Sequence, residues 1–135
     1  MRNLLETLKR EFDAEDDSFL IKLRCDFYWD KNAFERLTNA MKGYCEKNQE
    51  NKLLERWIAE GFWFISHFVK DYSSHPHFPK PYTPEYYEKA YERLDDLAYW
   101  FFFGQSPYIG GKGFESLEPL PESLNLIESN FEETK

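Results

Sequence analysis

The most regular hydrophobic pattern in the chain runs from residue 54 to residue 72. Apolar side chains recur there every three or four residues, as on one face of an α-helix, at Leu54, Trp57, Ile58, Phe62, Ile65, Phe68, Val69 and Tyr72. Trp63 and Phe64 widen this face, so we predict a central helix that packs on more than one side. Gly61 lies within the helix although glycine costs about 1 kcal/mol relative to alanine there. It therefore predicts the close approach of another helix.

A proline-rich stretch separates this helix from a second strong one. Residues 73–83 hold three prolines, which remove backbone donors and favour extended conformations before them, so we predict an ordered, non-helical connection. Thr83 and Pro84 then form an N-cap and first-turn pair, and Gly104 is placed to end the helix in a left-handed cap. The predicted buried face consists of Tyr87, Ala90, Tyr91, Leu94, Leu97, Ala98, Phe101 and Phe102.

The first half of the chain predicts shorter elements. An opening amphipathic helix is expected from residue 4 to residue 12, and another helix from about residue 32 to residue 47, with Asp30 or Asn32 as its N-cap. Residues 19–29 are ambiguous, because their alternation of apolar and polar positions suits a half-buried strand while Leu20, Leu23 and Phe27 also fit one helix face. A strand needs a partner, and no second stretch of comparable quality exists, so we predict a helix.

These elements together predict an all-α fold, a single-domain helical bundle of about four to six helices spanning residues 1–135. A chain of this length can bury one hydrophobic core. The bundle is expected to contain the proline-rich connection at 73–83. Glycines and prolines mark the C-terminal segment, of which residues 113–135 are predicted to be irregular or partly disordered.

Cysteine usage and hydropathy indicate the compartment. The two cysteines, Cys25 and Cys45, are too few for a disulfide scaffold and belong to no Cys-x-x-Cys pair, so we expect free thiols in a reducing environment. The amino terminus turns charged too early for a signal peptide, and the aromatic run at 99–103 is far too short to cross a bilayer. A cytoplasmic location is therefore expected.

The net charge of −8 indicates what kind of partner to expect. Such a charge repels phosphate backbones and anionic lipid, so neither nucleic acid nor a membrane is expected as a direct partner, whereas a basic protein would be attracted. The acids concentrate between residues 11 and 17, where no base intervenes, and on the outer face of the last strong helix, where tyrosines stand beside them as interface anchors. The predicted partner-binding residues are Asp13, Glu15, Asp16, Asp17, Glu88, Glu92, Asp95, Asp96, Tyr99 and Tyr108. The alternatives are a solvated charged face and an unusually aromatic core.

No pattern in the chain predicts catalysis. Residues 110–113 lack the strand, spacing and hydroxyl residue of a phosphate loop. Asp95 and Asp96 are adjacent on a helix and point about 100° apart, so they do not converge on one bond. His75 and His77 flank a proline but have no evident third metal ligand. We therefore expect no catalytic residue, no metal and no cofactor.

Two segments carry a resemblance to known proteins. The stretches EGFWFISHFVKDYSSHPHFPKP (60–81) and YYEKAYERLDDLAYWFFFGQSPY (86–108) look like small bacterial proteins, and the size and acidity resemble immunity proteins of contact-dependent inhibition and related toxin systems. That resemblance implies the binding of a cognate basic toxin, such as a nuclease, inside the cell. It transfers no site residues, because this class includes many folds. The rival interpretations are a regulatory or anti-defence adaptor and a metal-dependent enzyme of unrecognised type.

Overall fold

A computed structural model describes residues 3–108 of the chain, and these fold into five α-helices. The helices are α1 (Leu4–Phe12), α2 (Phe19–Asp26), α3 (Lys31–Asn48), α4 (Arg56–Ser73) and α5 (Pro84–Phe103). The described part contains no strand, so the predicted all-α bundle is confirmed. The predicted irregular segment at 113–135 lies outside the described residues.

Local sequence signals set the helix boundaries. Asp30, rather than Asn32, caps α3, because its carboxylate accepts a hydrogen bond from the Ala33 amide at 3.1 Å. Thr83 caps α5 as predicted, and Gly104 ends that helix with a φ of 74°. Helix α4 extends one residue into the proline-rich connection and ends at Ser73.

Residues 19–29 form a helix over most of their length. Helix α2 buries Phe19, Leu20 and Leu23, and it is capped at its C-terminal end by Phe27, which adopts the left-handed conformation with a φ of 51°. Such a conformation is unusual for a bulky residue, and the reversal lets the chain turn so that Trp29 enters the core. The strand-like alternation is thus produced by a short helix followed by a buried tryptophan.

An aromatic cluster around Trp29 fills one end of the core. The indole is 1% exposed, and its Nε1–H donates to the Tyr86 hydroxyl at 2.8 Å. The rings of Phe19, Phe34 and Tyr87 surround it with centroid separations of 4.9 to 5.2 Å. The Phe19 and Tyr87 rings meet the indole edge-to-face, and pairs of that kind contribute about 0.5–1.5 kcal/mol each beyond their burial. The cluster therefore joins α2, α3 and α5.

Helix α5 packs against both α4 and α3. Phe62 of α4 stacks on Phe101 at 4.3 Å, while the Ser73 and Tyr91 hydroxyls hydrogen-bond at 2.7 Å, so α4 and α5 run antiparallel. On its other side α5 meets α3, where the Trp100 indole donates to Gln49 at 2.9 Å. These two contacts fix which sides of α5 are covered and which side faces outward.

The predicted buried face of α5 is wrong at one residue. Phe102 is exposed, whereas Tyr86, Arg93 and Trp100 are buried. The physical reason is the second neighbour: packing against α3 rotates the covered surface toward the side that carries Arg93 and Trp100. The Arg93 guanidinium is accommodated there by the Glu35 carboxylate at 3.2 Å.

Gly61 marks the close approach that its position predicts. The neighbour is the Phe12 ring at the end of α1, and a Cβ on Gly61 would lie 2.1 Å from the Phe12 Cδ2 atom. The same ring packs edge-on against Trp57 and Phe62. Glycine is required because the ring occupies the space of a side chain.

Candidate partner-binding surface

The outer face of α5 brings five of the predicted site residues together. Glu88, Glu92, Asp95 and Tyr99 follow one another at helical spacing on the side that neither α3 nor α4 covers, and the partly buried Asp96 lies at its edge. Among the described residues, the first three of these acids form no ion pair. The helix therefore presents uncompensated negative charge, which is stabilised by contact with a cationic partner.

Asp96 lies at the inner edge of this acidic face. Partial burial, together with the nearby Glu92 and Asp95 carboxylates, raises the pKa of Asp96, and its contact with the Tyr108 side chain opposes that rise. Tyr108 itself is buried, with its ring edge against Trp100 at 6.1 Å. Burial is the main reason that the pKa of the Tyr108 hydroxyl is raised, and the nearby Asp96 charge raises it further. Tyr108 thus supports the face from inside rather than lying on its surface.

Exposed aromatic rings continue the same face toward the C-terminal end of α5. Asp95 and Asp96 precede Tyr99 by one helical turn, and Phe102 and Phe103 follow it by one turn. Tyr99 and Phe103 pack against each other at 4.8 Å, yet Phe103 remains 71% exposed. Large aromatic side chains left in water on adjacent turns are typical of interaction surfaces.

Trp63 of α4 extends the aromatic surface across the groove between the two helices. Trp63 and Lys70 are seven residues apart, on one side of α4, and the Lys70 ammonium lies 6.0 Å from the Tyr91 ring. Tyr91 lies on the same side of α5 as Phe102, by helical spacing. Trp63 is 55% exposed and stacks on His67 at 4.3 Å. We call Trp63, Tyr99, Phe102 and Phe103 the aromatic face.

The other predicted acidic patch, at residues 13–17, has a different environment. Lys9 contacts Asp13 at 2.7 Å, and Arg10 contacts Glu15 at 2.9 Å, so much of its charge is compensated within the chain. Asp16 is exposed, and its backbone carbonyl accepts a bond from Arg10 at 3.1 Å. The loop thus combines partly neutralised charge with direct hydrogen bonds to neighbouring basic residues.

A buried carboxylate holds that loop against the bundle. Glu11 accepts the Phe19 amide at 2.9 Å and the Arg36 Nε–H at 2.8 Å. Arg36 also donates to the Asp17 carbonyl at 2.6 Å, and Asp17 has a φ of 70°. These contacts give the acidic loop a structural role in joining α1, α2 and α3.

The sequence pattern predicts Trp63 on a widened buried face and Phe102 on the buried face of α5, so neither is among the predicted site residues. The signal that could have identified Trp63 is the width of the apolar face of α4. Trp57, Trp63, Phe64 and Phe68 together with the core positions cover more of the helix circumference than neighbouring helices can bury.

Neither a metal cluster nor a membrane-spanning helix is found among residues 3–108, and no similar protein is found for the chain. No group of three or more His, Cys, Asp or Glu side chains within residues 3–108 could hold a metal ion. No helix in that same range is long and apolar enough to cross a membrane. No protein-family model matches the chain, and comparisons with curated proteins and with solved structures give no match. The resemblance to immunity proteins therefore stays a prediction.

Proposed function

We propose that this chain acts by binding a basic protein through the outer face of α5 and the adjoining aromatic face, and that it inhibits that protein without catalysis of its own. The observation that supports the proposal most is the position of Tyr99 and Phe103. These exposed rings directly follow the acids Asp95 and Asp96 on one surface of one helix. Protein interfaces commonly combine aromatic anchors with charges that select the partner.

The two parts of the surface have separate physical effects. Burying an aromatic anchor at the centre of an interface typically contributes about 2 kcal/mol or more, so the aromatic face would supply most of the affinity. The acids of α5 would accelerate the encounter with a basic partner and reject acidic ones, and their effect would weaken as salt rises. The overall charge of −8 adds to this attraction.

The more specific form of the proposal is an immunity protein that neutralises a cognate toxin in the cytoplasm, a nuclease being the most suitable kind. A nuclease carries positive charge where it holds its phosphate substrate. A rigid acidic helix flanked by aromatic rings could cover that positive surface. The acidic loop at 13–17 would contribute less, because Lys9 and Arg10 already neutralise two of its carboxylates.

Site-specific photo-cross-linking tests the proposal. A photoreactive phenylalanine analogue is placed at Phe103 on the aromatic face and, as a matched control, at Asn32, which is exposed at the start of α3. In cells of the native host, we expect one discrete adduct with a basic protein from position 103 and none from position 32. The captured protein is then purified and assayed, and its activity should fall as the chain is added. No specific adduct from position 103, or full activity in the presence of excess chain, would overturn the proposal.

A further inference from the structure

A pocket of about 270 Å³ opens at the C-terminal end of α4, away from the residues of the aromatic face. Its walls are the rings of Phe27, Tyr72 and Phe78, and its remaining lining comes from Asp71, His75 and His77. Pockets that enclose drug-sized ligands usually measure about 300–1,000 Å³, so this one has the size for a single long side chain.

The chain builds this pocket with an exposed ring on an unusual backbone. Phe27 takes the left-handed conformation at the end of α2, and its ring is 54% exposed although it stacks on Tyr72, nearly parallel, at 6.1 Å. The Tyr72 hydroxyl donates to the Arg24 carbonyl at 3.0 Å, which fixes the second ring. Phe78 is buried and packs edge-on against Tyr72, so it forms a firm floor.

The Asp71 carboxylate and the aromatic rings of the lining favour a cation. Asp71 lies in the last turn of α4, where the helix dipole is already negative, and its carboxylate forms no ion pair among the described residues. Lys70 lies over the Tyr91 ring of α5, whereas the Lys80 ammonium donates to the His75 carbonyl at 3.3 Å beside the rim and leaves the Asp71 carboxylate unpaired within residues 3–108. Aromatic faces add further attraction for a positive group.

The two histidines form part of the pocket rim. The His77 amide donates to Nδ1 of His75 at 3.2 Å, which orients the His75 ring. The two imidazoles lie 5.3 Å apart and line the rim together.

We infer that this pocket binds an arginine side chain presented by a polypeptide. A guanidinium is planar, stacks on aromatic rings, is weakly hydrated and pairs with a carboxylate through two parallel hydrogen bonds. A lysine ammonium lacks the planar shape and loses more hydration on entering an aromatic pocket. The inference is independent of the α5 surface, because none of the pocket residues belongs to it.

Nuclear magnetic resonance titration of the full chain tests the inference. The probe is N-acetyl-arginine N-methylamide, and the matched control is the citrulline analogue, which has the same shape without the charge. We expect the arginine probe to shift the amide signals of Phe27, Tyr72 and His75, and the citrulline probe to leave them unchanged. Shifts of equal size with both probes, or no localised shift with the arginine probe, would overturn the inference.

Two variants test whether the arginine probe binds in this pocket. Asp71→Asn removes the exposed carboxylate and should weaken binding of the arginine probe about tenfold, as expected for a charge-assisted contact. Phe27→Gly removes the exposed ring, and glycine tolerates the left-handed backbone, so this variant should fold and also bind less tightly. Circular dichroism confirms that each variant keeps the helical content of the wild type. Unchanged affinity in both folded variants would contradict the assignment.

Discussion

The packing of Phe12 against Gly61 makes Gly61→Ala a sensitive perturbation of the bundle. The new methyl group would lie 2.1 Å from the Phe12 Cδ2 atom, 2.3 Å from Cε2 and 2.5 Å from Cγ, so the whole ring must move away. Overpacking of this kind costs about 1–3 kcal/mol. The higher helix propensity of alanine stabilises α4 by about 1 kcal/mol relative to glycine. We therefore expect a net loss of up to about 2 kcal/mol, and the melting temperature should fall by about 4 °C per kcal/mol.

A double-mutant cycle shows whether the ring causes this loss. With Phe12→Ala in place the obstacle is gone, and Gly61→Ala should then stabilise the protein by up to about 1 kcal/mol through helix propensity alone. The matched control is Gly43→Ala in α3, whose Cβ would meet only the flexible end of Leu4 at 3.3 Å, so it should keep the stabilisation of up to about 1 kcal/mol that helix propensity gives. Urea unfolding followed by circular dichroism gives all the free energies. If Gly61→Ala costs the same with and without the Phe12 ring, the packing described here is wrong.

Three further predictions concern buried polar groups. Burial raises the pKa of Cys45 to about 12. At pH 8 a thiol reagent should therefore modify the exposed Cys25 quickly, whereas Cys45 should react only at the rate at which the fold opens. Rapid reaction of both thiols would contradict this. Tyr86→Phe removes the partner of the buried Trp29 indole and should lower the free energy of unfolding by about 1–3 kcal/mol, measured by urea unfolding; a stability equal to that of the wild type would rule out a role for this bond. Burial raises the pKa of Asp96 above 3.8, so the native state holds that proton more tightly than the unfolded chain, and wild-type stability falls as pH rises through the raised pKa. Asp96→Asn should therefore raise the melting temperature at pH 7 and lose that advantage below pH 3.8, and the opposite trend would refute the assignment.

The sequence predicts helix positions well where capping residues and periodic apolar residues agree. Thr83 and Gly104 bound α5 correctly, and the role of Gly61 follows from the cost of glycine within a regular helix. Residues 19–29 were harder, because α2 has few turns and Trp29 is buried after the helix ends. Alternation over so few residues does not distinguish a strand from a short helix with an added buried residue.

The site was predictable in part. Helical spacing alone predicts that the acids of α5 lie on one side of a helix, and residues 84–103 do form that helix. Spacing does not reveal that Arg36 pairs with Glu11 and holds the Asp17 carbonyl, because Arg36 is distant in sequence and contacts the loop only in the folded chain. The exposure of Phe102 likewise depends on how α5 divides its surface between α3 and α4.

The most direct test of the proposed mode of action is the affinity of the cross-linked partner, once purified, for three versions of the chain. The double variant Tyr99→Ala, Phe103→Ala should bind at least about 30-fold more weakly than the wild type, since truncating an anchor costs about 2 kcal/mol or more. Asp16→Ala, in the partly neutralised loop, should stay within about twofold of the wild type. If the loop variant loses the partner while the α5 variant retains wild-type affinity, the aromatic and acidic surface of α5 is not the binding site.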